Sequence, residues 1–421
     1  MTPPQHRAHR FIRFLERYTK TDMAYLARSG VWGNLSTMSV TVFSLVLYYV
    51  FARYVSREAF GVYQYLLSLG ALLGVLTFTG INTAVTSAVA RGHEGALRQA
   101  VRLQWKYAFV PIVAALAVSA YYALNSNAVL AIGVIVVGVL TPLLNGANTY
   151  SAFLVGKQDF KRVFLYNFWI NVPFYALLIC AALIVPNPLL LVGIALGAQA
   201  LGCIVALRKT YAVYRPQALE DAGLPRYGLH LSAMGALGVL ALQADTILAF
   251  HFVGAAGLAV YTFAVAIPER LGGLVKFIPM AALPRFSTRG FADARRGLLM
   301  RLPLAALLLA LIAGAYALAA PYVFALLFPT YGDSVAYSQW YALAVGAVLT
   351  QLLVTLLSSH AFVRRLYAYH VTAPVLQLLL QFLGVAFYGL PGLIAGRLLG
   401  TGAAFVIALA LVVTARQASA R

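Results

Sequence analysis

The sequence predicts an all-α polytopic membrane protein, and three observations carry that prediction. The chain of 421 residues is 62% hydrophobic and only 10% charged, and its mean hydropathy of +0.84 is far above that of a water-soluble globular protein. Apolar runs of 18 residues or more recur along nearly the whole length. Each can cross a hydrocarbon core of ~30 Å at a helical rise of ~1.5 Å per residue. The runs are continuously apolar and do not alternate, so each satisfies its own backbone as a helix, and a barrel is excluded.

The elements follow in order. An N-terminal arm, residues 1–28, has no apolar core or small-residue cleavage site of a signal peptide. Its Phe11, Ile12, Leu15 and Tyr18 fall at helical spacing among arginines, the pattern of an interfacial helix on anionic lipid. Six spans come next, at roughly 29–52, 61–89, 105–124, 128–155, 163–185 and 188–207. A basic linker, 208–228, carries Pro216 and Pro225. Six more spans follow at roughly 229–252, 255–284, 299–320, 336–362, 367–388 and 391–414, within a second lobe of 229–415, and a short tail, 416–421, ends the chain. Several spans are long, which implies tilt.

Net charge is +20, with 31 Lys and Arg. Under this span order 26 of them fall on one side and only Arg53 and Arg57 in the opposite loops. The positive-inside rule therefore sets both termini in the cytoplasm, as an even span count requires. The basicity orients the protein and does not indicate a nucleic-acid partner. Cys180 and Cys203 lie within spans and read as packing residues, and His230, His251, His360 and His370 show no ligand spacing, so neither a metal nor a cofactor is expected.

Shifted by 198 residues, VSREAFGVYQY (55–65) aligns with VGAAGLAVYTF (253–263), and the register holds to Arg91-Gly92 against Arg289-Gly290, with nine identities over 38 positions. The chain reads as a duplication. Two six-helix lobes of equal orientation, 29–207 and 229–415, are expected about a pseudo-two-fold along the membrane normal.

The three remaining basic residues, Arg270, Lys276 and Arg397, lie inside spans, as do Asp245 and Glu269. Under the repeat, Asp245, Glu269, Arg270 and Lys276 map to Leu47, Ala71, Leu72 and Phe78, so these charges belong to one lobe. By helical rise Glu269 and Arg270 sit about 20 Å below the outer face, Asp245 about 12 Å, and Lys276 near the inner interface. Pro268 and Gly272-Gly273 suggest a kink and a close approach. A long side chain from Arg270 is within reach of Asp245, with Arg397 at similar depth. Two readings stand: a charge-balanced cluster that binds nothing, or a cavity whose excess cation attracts an anion, arginine being suited to phosphate. Asn145 and Asn148, in LLNGANTY, either line that cavity or bond helix to helix. Tyr48, Tyr49 and Tyr54 read as an interfacial belt.

FARYVSREAFGVYQYLLSL (51–69), DTILAFHFVGAAGLAVYTFAVAIPE (245–269), PRFSTRG (284–290) and FALLFPTYGDS (324–334) resemble the polysaccharide-transporter branch of the multidrug/oligosaccharidyl-lipid/polysaccharide (MOP) exporter superfamily, which contains O-antigen and capsule flippases. The resemblance covers about residues 28–415. It implies two lobes around a central cavity lined by the first, second, seventh and eighth spans, in a bacterial inner membrane. It also implies transport of an undecaprenyl-diphosphate-linked oligosaccharide, with Arg270, Lys276 and Asp245 facing the cavity. Arg270, Lys276, Arg397, Asn145 and Asn148 are the expected substrate-binding residues, and Asp245 and Glu269 the expected ion-coupling or charge-balancing pair. A proton or sodium ion, membrane lipids and other polysaccharide-assembly proteins are the expected partners. No nucleotide or hydrolase motif indicates an enzyme. The rivals are a cation-coupled multidrug antiporter of the same superfamily, which predicts a net acidic cavity, and a membrane-embedded polymerase or glycosyltransferase, which calls for an acidic outer loop or domain.

Overall fold

The computed structural model describes residues 23–217, 219–275, 277–288, 290–360 and 362–415. The arm with Phe11, Ile12, Leu15 and Tyr18, the 416–421 tail and Lys276 lie outside the described residues. Every regular element described is helical. The first group comprises α1 (Met23–Tyr54), α2 (Arg57–Val75), α3 (Ile81–Ala90), α4 (Ala96–Lys106), α5 (Phe109–Leu124), α6 (Ala128–Gly156), α7 (Phe160–Ile184) and α8 (Pro188–Tyr214). After the linker come α9 (Leu224–Val275), α10 (Phe277–Ser287), α11 (Phe291–Leu327), α12 (Ser334–Tyr341), α13 (Ala347–Ser359) and α14 (Val363–Val413). Nine helical stretches among the described residues are long and apolar enough to cross a membrane.

The expected seventh and eighth spans are the two legs of α9 and the eleventh and twelfth the two legs of α14, while the Met38–Tyr54 part of α1 is too short to count among the nine. Both long helices fold back at a glycine. Gly254 (φ 83°, ψ 178°) breaks α9 and Gly389 (φ 61°, ψ −138°) breaks α14, backbone conformations open to glycine at little cost. Tyr261 donates to Asp245 at 2.6 Å although they are 16 residues apart. A straight helix would separate them by about 24 Å. The two legs of α14 are closer still: a Cβ built on Gly384 would stand 2.1 Å from the Gly392 carbonyl oxygen, and one on Gly396 2.4 Å from that of Leu380. Small residues thus let the backbones touch, the usual device where lipid supplies no hydrophobic drive between helices.

The element limits recur under the 198-residue shift. Adding 198 to the ends of α2 and α3 gives 255–273 and 279–288, where the second leg of α9 ends at Val275 and α10 spans Phe277–Ser287. The same shift carries α8 to 386–412, against the second leg of α14, which ends at Val413. Turn chemistry differs between the copies. Ser56 caps α2 by accepting from the Ala59 N–H at 3.2 Å, whereas Gly254 supplies the equivalent turn by its positive φ.

At one end of the bundle a single apolar core spans both copies. Phe60 packs on Phe263 with centroids 5.0 Å apart, and Phe263 stacks on Tyr331 at 3.8 Å and meets Phe328 at 5.0 Å. A Cβ on Gly61 would lie 1.9 Å from the Ala255 oxygen, so α2 and α9 are in backbone contact here. Arg57 closes the rim: it donates to Asp333 at 2.9 Å and to the Thr330 carbonyl, while the Thr330 hydroxyl donates to the Ala52 carbonyl at 2.5 Å. At the other end the apolar packing divides. One cluster around Ile81, Leu97 and Phe153 belongs to the first copy, and another around Phe291, Leu353 and Val412 to the second. The divided end is basic, with Arg91 in a turn and Arg98, Arg208, Arg295 and Arg364 near the ends of helices.

Gly392→Val should lower thermal stability by about 1–3 kcal/mol, since the obstructing atom is backbone and cannot swing away. Gly402→Val, at a position with nothing within 4 Å of a built Cβ, is the control and should leave the melting curve of the purified protein nearly unchanged.

Candidate functional site

Four in-span charged residues are described, and they divide into a closed cluster and a single cation. Asp245 is 4% exposed. Besides the Tyr261 hydroxyl at 2.6 Å, its carboxylate accepts from the Thr246 N–H at 2.8 Å and from Arg397 Nη1. Arg397 Nη2 lies 3.6 Å from Glu269 Oε1, to which the Tyr341 hydroxyl donates at 3.2 Å. One guanidinium from the second leg of α14 is therefore held between carboxylates from both legs of α9. Burying an ion costs several kcal/mol before pairing, and that cost is offset only where partners are well placed and the spare lone pairs are filled. Tyr261, Tyr341 and Thr246 fill them.

Arg270 faces elsewhere. Its Nη2 donates to Ser44 Oγ on α1 at 3.0 Å, its Nη1 to the Ala266 carbonyl at 2.5 Å, and its guanidinium carbon sits 4.8 Å from the ring centre of Tyr48. Among the described residues it forms no ion pair. The expected contact between Arg270 and Asp245 is not made. Consecutive residues point about 100° apart on a helix, so Glu269 turns toward Arg397 while Arg270 turns across the boundary between the two copies. Asp245, expected to face the cavity, is instead enclosed by the α9 hairpin and α14. Glu269 is accessible, its side chain 52% exposed, and beside it Gly272 and Gly273 border open space where no atom lies within 4 Å of a built Cβ.

The remaining expected residues are dispersed. Asn145 donates to Thr77 at 2.9 Å, a bond between α6 and the residues just past α2. Asn148 is exposed. Lys276 lies outside the described residues. Ser44 carried no signal in the sequence, and Tyr48, read there as part of an interfacial belt, lies under Arg270 and edge-on to Phe263 at 5.4 Å. The wide tyrosine content hid it. Tyr261 and Tyr341 were equally invisible as ligands of the carboxylates, because nothing in the sequence brings them to Asp245 and Glu269.

Asp245→Asn should cost about 3–5 kcal/mol, because it leaves Arg397 buried with its main partner gone. Adding Arg397→Met should restore most of that stability, and Glu269→Gln alone should cost little; thermal unfolding of the purified variants tests all three.

Comparison with known proteins completes the picture. No curated protein sequence matches the chain. Among solved structures, the inward-facing conformation of a multidrug resistance MATE family transporter of the MOP superfamily matches with a TM-score of 0.66 at 17% identity, over 90% of this chain and 96% of that one. The inward closed conformation of the lipid II flippase MurJ matches at 0.67 and 10% identity, over 90% and 87%. A MOP superfamily transporter from Pyrococcus furiosus, described as having a binding pocket of reverse polarity, matches at 0.59 and 15%, over 92% and 95%. At these identities the likeness establishes a common fold, shared with transporters and a flippase. The family model described as polysaccharide biosynthesis protein matches residues 26–289, well over half the sequence. The chain belongs to the polysaccharide biosynthesis protein family and has the multi-pass membrane fold of the MOP superfamily.

Proposed function

We propose that the protein is a lipid-linked oligosaccharide flippase, moving polyprenyl-diphosphate-linked glycan units from the cytoplasmic to the outer leaflet by alternating access, for surface polysaccharide assembly. The observation that carries this reading is the division of charge. Asp245 and Glu269 share Arg397, so the acidic residues are already met by an internal cation. Arg270 remains as an in-span guanidinium held only by neutral groups at the boundary between the copies. An arginine fork there suits a diphosphate, and Lys276, six residues further along the chain, would add a second cation nearer the entrance.

In this reading the chain crosses the bacterial inner membrane twelve times, as lobes 29–207 and 229–415 joined by 208–228, with both termini cytoplasmic. The divided end would face the cytoplasm, since the basic residues lie there. The headgroup would enter between the lobes while the polyprenyl tail stays in lipid. With no nucleotide motif, the drive comes from an ion gradient, the membrane potential or downstream consumption. A proton on Glu269 is the simplest coupling, because it would weaken the hold on Arg397 and change the charge of the cavity wall. The MATE likeness favours a second reading, a cation-coupled multidrug antiporter. That reading needs acidic groups free to meet a cation, and here Arg397 occupies them.

Flipping of a fluorescent polyprenyl-diphosphate oligosaccharide in proteoliposomes, read by quencher accessibility, tests the proposal. Arg270→Ala should reduce the rate at least tenfold with insertion intact, and Arg270→Lys should retain part of it. Wild-type rates in a stably inserted Arg270→Ala protein would remove Arg270 from the site, and transport of cationic dyes but not the lipid would favour the antiporter. A second test concerns the sealed end. In a background lacking Cys180 and Cys203, a cysteine at the buried Ser334 should be inert to an impermeant maleimide. It should become reactive in the Phe263→Ala variant, which removes the ring packed on Phe60, Phe328 and Tyr331.

A further inference from the structure

Away from Arg270, on the first copy alone, a second cationic feature stands at the divided end. Four acidic residues are described between positions 91 and 226, and each is already paired with a base. Asp221 meets Arg91 at 2.7 Å, Glu220 meets Arg102 at 3.9 Å, Asp159 meets Arg162 at 3.0 Å, and Glu94 meets Lys157. Asp221 is held twice: the Gly223 N–H, and after it the Arg91 guanidinium, hold its carboxyl below the usual carboxylate range. Among the described residues between 91 and 226 no acid is left for Arg98 and Arg215, which share an open recess of about 480 Å³ with Tyr211 and Pro216.

The backbone at Arg215 is itself strained. It closes α8 in the left-handed conformation, φ 43° and ψ 58°, which costs a residue with a Cβ on the order of 1–3 kcal/mol. The next residue is Pro216, which further restricts its neighbour. Glycine is the residue that normally ends a helix this way, so the position keeps an arginine against its local preference. Membrane depth fits as well. Helix α4 buries Leu97, Ala100 and Val101, turns Arg98 and Arg102 outward, and exposes Trp105 by 45%, the make-up of a helix lying at headgroup level.

We propose that Arg98, Arg215 and Tyr211 form a phosphate-binding site at the membrane surface, suited to a phosphate mono- or diester. Two guanidiniums and a phenol able to donate line one basic recess of the kind that takes anionic headgroups. A phospholipid headgroup and a free phosphate share that chemistry.

The test uses the purified full chain in detergent. Bound phosphatidylglycerol is counted by native mass spectrometry, with phosphatidylcholine as the neutral reference, and inorganic phosphate is titrated calorimetrically. Arg98→Gln with Arg215→Gln should lower occupancy by phosphatidylglycerol at least fivefold and leave phosphatidylcholine unchanged. Arg226→Gln, an exposed base outside the recess, should change neither. Loss in the phosphate arm as well identifies a site open to free anion, whereas loss of lipid alone identifies a headgroup site. Arg215→Gly separates binding from architecture: it should raise the melting temperature by a few degrees while weakening binding. Equal binding in wild type and the double variant in both arms, an equal loss from Arg226→Gln, or a lower melting temperature for Arg215→Gly would overturn the proposal.

Discussion

The backbone contact between α2 and α9, where Gly61 lies against the Ala255 carbonyl, is the constraint from which the rest of the arrangement follows. It brings the first hairpin of each copy into register, because residues 61 and 255 stand just past the equivalent turns at Ser56 and Gly254. From there the two helices run antiparallel, with Ser68 donating to Gln243 at 3.1 Å and the Gly80 N–H to Ser232 at 3.0 Å. One seam therefore joins the copies along their whole depth. The opposite seam, α1 against the second leg of α9, is held by side chains: Tyr48 on Phe263, then Arg270 on Ser44. A bundle tied firmly on one side and lightly on the other can part on the lighter side, which is where Arg270 sits.

The in-span charges make sense within that frame. Arg397 and Asp245 are held entirely by the second copy, so their pairing is indifferent to how the copies sit against each other. Arg270 is the exception, a second-copy residue bound to a first-copy hydroxyl and ring. Its environment changes with any separation at the lighter seam, whereas the Asp245 and Arg397 pair can ride along intact. The asymmetry between repeats has the same source. Leu47 and Leu72 of the first copy occupy the positions of Asp245 and Arg270, and Leu47 is buried in the common core.

Much of the fold was legible because its causes are local. Continuous apolar runs reveal helices, and the limits of α2, α3 and α8 recur under the 198-residue shift. The breaks at Gly254 and Gly389 fall between expected spans, but breaks inside apolar runs were not legible: the expected span 61–89 divides between α2 and α3, and 336–362 between α12 and α13. The site was legible as a set of residue types but not as a set of partners. Depth along a helix placed Asp245, Arg270 and Arg397 near one another. Azimuth, which depends on packing between helices distant in sequence, decided that Arg397 and not Arg270 meets Asp245. The asparagines illustrate the same limit, since Asn145 spends its amide on Thr77.

The aromatic seal at the Arg57 end has a thermal consequence. Phe60, Phe263, Phe328 and Tyr331 are each almost fully withdrawn from solvent, while the ion pair over them is exposed and worth little. Any conformation that separates these rings wets a large apolar area, and wetting apolar surface raises heat capacity. The balance between the sealed form and an opened one must then curve with temperature instead of following a straight van't Hoff line, and the seal loosens on cooling as well as on strong heating.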